Sequence, residues 1–325
     1  MAFCLKDHLV PRKVMLLAGL LAPTLQASAL ADSEPVVEAV AAPQRLRWSH
    51  GPLRVGYVLR PGTLEPERSD FVDLVRSTDR NLWILDVAYD RDQPSRWTYA
   101  EIDAMRATDP SRKVLAMLSI TSVDPGRDYY EDVAGGPLVV GPSPTERGAL
   151  RVRWWDPAWQ EMVLGTLDAV LARGFDGVVL GGVDAFAEGE LRGDTFRPGA
   201  INPATKRSYR ADMAAWVKQV AAYGRAGGQG SFLVFAQGGV ELLGLPGYGD
   251  TLDGMLAEGL FAENGARAAW VERYLDPFAV SGGTVVLVES QQDGVARDRA
   301  ATAASARGFS VLFNSSDRTN LGVVR

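Results

Sequence analysis

The chain has 325 residues, 46% of them hydrophobic and 23% charged, which suits one large globular domain and excludes a fibrous or disordered protein. The formal net charge is -6 and no run of basic residues occurs, so the electrostatics argue against a nucleic-acid partner. A neutral or cationic ligand fits that balance better.

Residues 1–31 read as a secretory signal. Lys6, Arg12 and Lys13 precede an apolar run over 14–25, and Ala29-Leu30-Ala31 offers a small-residue cleavage site. That run is shorter than the roughly 20 residues of a membrane span, and Pro23 interrupts it, so cleavage is expected rather than anchoring. No membrane span is expected after cleavage, and the mature chain is placed in the periplasm or outside the cell. Cys4 and His8 leave with the signal. The remaining chain has no thiol for a disulfide, and His50 is its only imidazole. A multi-histidine metal site is thereby excluded and a Ser-His-Asp triad disfavoured, so chemistry falls to carboxylates, amides, hydroxyls and tyrosines. The residues require neither a metal nor a cofactor.

Residues 32–49, rich in Ala, Val, Glu and Pro, read as a flexible leader, and residues 50–325 as one domain. Strand-like apolar runs follow at 53–58, 82–87, 114–120, 177–181, 232–236, 254–257, 284–288 and 310–313. Helical patterns alternate with them at 66–77, 99–107, 157–172, 209–226, 265–280 and 295–306. Eight strands alternating with helices predict an α/β fold, a single (β/α)8 TIM barrel. The rival is an open doubly wound sheet. It would carry a glycine-rich phosphate loop after its first strand, and Tyr57-Val58-Leu59-Arg60-Pro61-Gly62 stands there instead. Three long connections, 121–153, 184–207 and 238–253, all follow C-terminal strand ends, where barrel active sites are built.

The central stretch Gly174-Phe175-Asp176-Gly177-Val178-Val179-Leu180-Gly181-Gly182-Val183-Asp184 shows how such a site is supplied. A helix stops at Gly174, a buried strand follows, and the chain opens into glycines and a carboxylate. Taken over all strand ends, the candidate site holds Asp86, Ser119, Thr121, Asp184, Gln237, Glu258, Glu289 and Asn314. Several acids at one barrel mouth suit acid/base cleavage of a glycosidic bond, one carboxyl protonating the leaving oxygen while another attacks or activates water. Taken singly, each acid could equally cap or pin a loop. Tyr129 and Trp155 could offer flat apolar faces to sugar rings, or simply pack over the barrel.

Several ordered motifs resemble glycoside hydrolase family 114. Gly174-Phe175-Asp176-Gly177-Val178-Val179-Leu180, with Val183-Asp184-Ala185-Phe186, resembles its signature. Val114 to Ile120 resembles the strand before its Gly-Glu motif, and Trp155-Asp156-Pro157-Ala158-Trp159 resembles its Trp-rich helix start. Ala236-Gln237-Gly238-Gly239 resembles its Gln-Asn-Gly turn, and Ala257-Glu258-Gly259-Leu260-Phe261 resembles the strand end that carries its catalytic glutamate. The resemblance implies a TIM-barrel hydrolase of the endo-α-1,4-polygalactosaminidase type, with an aminosugar polysaccharide or oligosaccharide as partner and no cofactor. It implies Glu258 as a catalytic group. It also implies a loss, since the family's catalytic aspartate after the central strand is here Gly181. Thr121-Ser122 and Gly238 depart from the pattern as well. Three readings stand at this point. The first is a divergent hydrolase in which Asp184 or Glu289 takes over beside Glu258. The second is an impaired enzyme that binds polysaccharide without cutting it, with Asp86, Gln237, Glu289, Tyr129, Trp155 and Asn314 as contacts. The third is a periplasmic scaffold.

Overall fold

In a computed structural model, which describes residues 53–90, 95–143, 148–192, 195–228, 230–261, 268–290, 294–315 and 318–324, the apolar runs form eight strands. These are β1 (Val55–Val58), β2 (Leu82–Asp86), β3 (Lys113–Ser119), β4 (Gly177–Gly181), β5 (Leu233–Gln237), β6 (Gly254–Glu258), β7 (Thr284–Ser290) and β8 (Ser310–Asn314). They pair in sequence order, every pair parallel. The expectations for residues 1–49 lie outside the described residues.

Parallel strands with both faces covered read as unbroken hydrophobic runs, and the period of two along each strand divides them between two cores. Val55, Tyr57, Leu82, Ile84, Leu115, Met117, Val179, Leu233, Phe235, Leu256, Val286, Val288 and Leu312 fill the barrel interior. Their neighbours, including Trp83, Leu85, Val114, Val178, Val234, Met255, Leu287 and Phe313, join the larger core beneath the helices. At about 25 cal/mol per Å² of buried apolar surface, each fully buried Leu, Val or Phe contributes about 1.5–3 kcal/mol before chain entropy is counted. Gly177 is required at its position by close approach, because a Cβ there would stand 2.2 Å from the Leu233 carbonyl oxygen.

The longer helices among the described residues are α1 (Arg68–Ser77), α2 (Tyr99–Arg106), α3 (Pro157–Ala172), α4 (Tyr209–Gly227), α5 (268–280) and α6 (Gly294–Ser305). Local sequence sets their starts. Thr98 and Glu101 form a reciprocal capping box for α2, Asp156 caps α3 ahead of Pro157, and Ser208 caps α4. Inside α5, Val271–Leu275 winds as a π turn. The indole nitrogens of Trp159 on α3 and Trp216 on α4 both donate to the Ile120 carbonyl, at 2.8 and 3.3 Å, which fixes these helices to the end of β3. No described helix is long and apolar enough to cross a membrane.

The seam of the barrel differs from the eight-strand expectation. Among the described residues no backbone ladder joins β8 to β1. Side chains bridge the gap, with Leu53 N–H donating to Ser310 Oγ at 2.9 Å and Asn314 Nδ2 donating to the Tyr57 carbonyl at 3.0 Å. A ninth strand, β9 (Val323–Val324), pairs antiparallel with β8. The segment leading into it accepts across the gap: Leu59 N–H donates to the Arg318 carbonyl at 3.0 Å, and the Arg80 guanidinium, which also donates to the Val55 carbonyl, donates to the Gly322 carbonyl at 2.9 Å. An open strand edge at the seam would leave backbone groups unpaired, and this segment and the bridging side chains satisfy several of them.

Candidate active site

Parity along the strands decides which end residues face the barrel axis. Counting on from the interior set, Asp86, Ser119, Gly181, Gln237, Glu258, Ser290 and Asn314 occupy the inward positions at the C-terminal end. Glu289 has the opposite parity. Within this layer Gln237 and Glu258 are joined, Gln237 Nε2 donating to Glu258 Oε1 at 2.8 Å. The same oxygen accepts from Arg318 Nη2 at 2.8 Å. The Glu258 side chain is 42% exposed, so it opens to solvent while one of its oxygens is held.

Gly181 sits in register with Ser119, and a Cβ built on it would point 3.3 Å from Met117 Sδ and 3.7 Å from Gln237 Oε1. A side chain at this position would therefore enter the mouth beside Gln237, one residue's reach from Glu258. Asp184 arrives differently. Gly182, at φ 80, turns the chain off β4 into a single 3-10 turn over Val183–Ala185, which carries Asp184 over the mouth. There it packs on the next strand end, because a Cβ on Gly238 would meet the Asp184 carboxyl carbon at 3.0 Å. Gly238 itself has φ 75, so this turn needs glycine both for its backbone and for its neighbour. Asp184 is exposed at its edge yet recessed among protein atoms. That desolvation raises its carboxyl above the ordinary range, and the nearby charges of Glu241, Glu188 and Glu258 add to the effect. Two carboxyl groups in different surroundings at one mouth, one crowded by protein and like charges and the other open to solvent, are the arrangement from which proton donation and proton acceptance can be divided.

Of the other expected site residues, Asp86, Ser119 and Asn314 share the inward layer but are engaged by other protein groups, and Glu289 faces outward. Asp86 is fully buried and gripped through both oxygens by Arg127, at 2.6 and 2.9 Å. Arg127 also bonds Asp124 at 2.9 Å. Although burial opposes its charge, the Asp86 charge and hydrogen bonds, with Asp124 and Tyr129 behind them, raise the guanidinium's affinity for its proton. Glu289 is fully buried on the outer face, where it accepts from the backbone of Leu260 at 2.9 Å and Phe261 at 3.1 Å, pinning the loop after Glu258. Asn314 is buried in the seam. Ser119 pairs with the Ser122 hydroxyl at 2.8 Å, and Thr121 lies buried against Gly182. Tyr129 lines a separate recess of about 440 Å³, solvent at its opening included, between the 126–129 loop and α3. Burial raises the Tyr129 phenol. Trp155 stacks edge-on against Trp154 and Tyr209, at 5.1 and 5.6 Å between ring centres. Asp184, Gln237 and Glu258 are thus the expected residues that the fold brings together. Arg318, Glu188 and Glu241 join them without having been singled out in the sequence. Arg318 lies in a polar tail with no periodic signal, and the two glutamates sit in connections rather than at strand ends.

The family model described as glycoside-hydrolase family GH114 matches residues 75–324, which run from the end of α1 through β9. The chain belongs to family GH114. Among solved structures the GH114 chain is similar to Aspergillus fumigatus Ega3, in complex with galactosamine, at 14% identity and a TM-score of 0.62 over 85% of this chain and 95% of that one. It is likewise similar to the glycoside hydrolase domain of PelA from Pseudomonas aeruginosa, at 16% identity and a TM-score of 0.58 over 84% and 97%. At these identities the likeness establishes the shared barrel. An uncharacterized protein of Deinococcus radiodurans is 34% identical over 165 residues, and one of Methanocaldococcus jannaschii is 24% identical over 233. The matched regions span 48% and 64% of those relatives' lengths. Membership of GH114 gives the barrel mouth its interest as a candidate carbohydrate site.

Proposed function

We propose that this GH114 barrel is a secreted or periplasmic protein that binds an aminosugar polysaccharide, of the α-1,4-linked galactosamine class, at the mouth formed by Asp184, Gln237 and Glu258, with hydrolysis weak or absent. The observation that carries the reading is Gly181: an inward position at the end of β4, beside Gln237 and Glu258, that lacks a side chain. Ega3 in complex with galactosamine supports the ligand class. Glycoside cleavage needs two carboxyl groups, and losing one costs on the order of 5 kcal/mol of barrier. The φ at Gly181 is not in the left-handed region, and Met117 is the only atom set that must yield to a new Cβ. A Cβ at this position therefore asks only for a small shift of the flexible Met117 side chain. In the test, wild type, Gly181→Asp and Glu258→Gln are incubated with de-N-acetylated galactosamine polymer, and reducing ends are measured beside polymer co-sedimentation. The expected outcome is retained binding by wild type, and a gain of about 100-fold or more in hydrolysis by Gly181→Asp that is lost when Glu258→Gln is added to that variant. No binding by any of the three would overturn the reading.

A second reading, residual hydrolysis by the natural chain, draws support from the raised Asp184 carboxyl close to Glu258. Asp184 would donate the proton and Glu258 would act as base or nucleophile. Wild-type turnover that both Asp184→Asn and Glu258→Gln abolish would favour this second reading over the first.

A further inference from the structure

Arg318 is one of two described non-glycine residues with a left-handed backbone, at φ 54. Such conformations are disfavoured for residues with a side chain and persist where the surroundings impose them. Here the imposition is visible. The Arg318 carbonyl accepts from Leu59 N–H at 3.0 Å just past β1, and its N–H donates to the Ser315 carbonyl at 3.2 Å just past β8. The residue is thus fastened to both sides of the seam. Its side chain is 9% exposed and lies with the guanidinium 5.2 Å above the Tyr57 ring, at the inward end of β1. Nη1 donates to the Ser315 carbonyl, and Nη2 is left to reach Glu258 Oε1 at 2.8 Å.

We propose that Arg318 is a positioning residue for Glu258, delivered to the barrel mouth by the C-terminal segment that fills the seam between β8 and β1. The proposal rests on the reading of this mouth as the carbohydrate site. An ion pair between two exposed, flexible groups contributes little, because both must be ordered to form it. This pair is asymmetric, since the cation is buried and backbone-fixed while the carboxylate is open to solvent. The ordering has therefore already been done by the seam, and Glu258 docks against a fixed point. Gln237 donates to the same oxygen from β5, so two donors on separate elements hold Oε1 and fix the plane of the carboxylate. Arg318 also places a positive charge at the β1/β8 side of the mouth, opposite in sign to Asp184, Glu188 and Glu241. A cationic sugar unit is thereby directed toward those acids rather than onto the held oxygen of Glu258.

The test uses the full chain, and its labelling arm needs neither turnover nor ligand. Carboxyl groups of wild type, Arg318→Gln and Arg318→Lys are labelled with a carbodiimide and glycine ethyl ester, and the rate at each site is read by peptide mass spectrometry across a pH series. The expected result is a several-fold faster label at Glu258 in Arg318→Gln and an intermediate rate in Arg318→Lys, which keeps the charge but not the planar fork. Exposed Asp103, far from the mouth, should label at its wild-type rate in all three. A purely structural role would raise all sites together, and that result, or an unchanged Glu258 rate, overturns the proposal. If Arg318→Gln does not fold, Arg318→Lys carries the same comparison. Co-sedimentation with galactosamine polymer separates the two claims. Unchanged labelling with intact binding overturns Arg318's role alone. A shifted Glu258 rate without polymer binding by wild type sustains that role and overturns the reading of the mouth.

Discussion

Asp184 is held by opposing demands, since the glycine turn that brings it over the mouth also crowds it with protein and with the charges of Glu241, Glu188 and Glu258. Its carboxyl titrates higher in the folded chain than in the unfolded one. Between those two values the folded state binds more protons, so stability falls as pH rises through that interval, and the penalty persists above it. Asparagine removes the charge and keeps an acceptor for the backbone contact. Asp184→Asn should therefore melt higher than wild type at neutral pH, and the gap should close as pH drops below the ordinary carboxylate value of 3.8. Calorimetric melts of both proteins across pH check this, and a gap independent of pH would show that Asp184 is not strained by its charge. The same residue scale explains why Gly238 cannot be filled. An alanine there would need φ near 75 and would strike the Asp184 carboxyl, so Gly238→Ala should weaken polymer binding more than it lowers stability.

At the scale of elements, the loop after β3 is tied to the end of β2 by a buried group of three charges, Asp86, Arg127 and Asp124. Removing one partner of such a pair leaves the other charged and desolvated, at a cost of about 3–5 kcal/mol. Asp86→Asn should lose roughly that much in a urea melt while the polymer affinity of the folded fraction stays near wild type, a separation that a direct sugar contact by Asp86 would not show. The sequence exposed the elements well because buried strands are unbroken apolar runs and helices carry caps such as Thr98, Asp156 and Ser208. It exposed the ends of strands poorly, because a carboxylate that binds ligand and one that pins a loop are the same residue type. Parity would have separated one pair: Val286 and Val288 face the interior, so Glu289 must face out, whereas Glu258 follows Leu256 inward. Arg127 and Arg318 were illegible, since each sits in a connection whose course is set by tertiary contacts rather than by its own periodicity.

Over the whole molecule, the strand order and its closure place every inward end residue on one rim, and the rim's charge is uneven. Glu188 is answered by Arg151 and Glu258 by Arg318, while Asp184 and Glu241 contribute negative potential to a chain whose net charge is already -6. A polymer bearing free amines is attracted to such a rim from a distance, and a fully N-acetylated one is not. Salt separates the two contributions, because the screening length shrinks from about 10 Å at 0.1 M to about 3 Å at 1 M. Contacts made by ring stacking and hydrogen bonding survive that change; long-range attraction does not. Binding of de-N-acetylated galactosamine oligomers should therefore weaken by roughly tenfold over this range, about 1.4 kcal/mol, with Glu241→Gln flattening the salt dependence. The N-acetylated oligomer should show weak binding with little response to salt. Titration calorimetry at a series of salt concentrations measures both, and equal salt dependence for the two oligomers would show that the acids at the mouth do not read the amine.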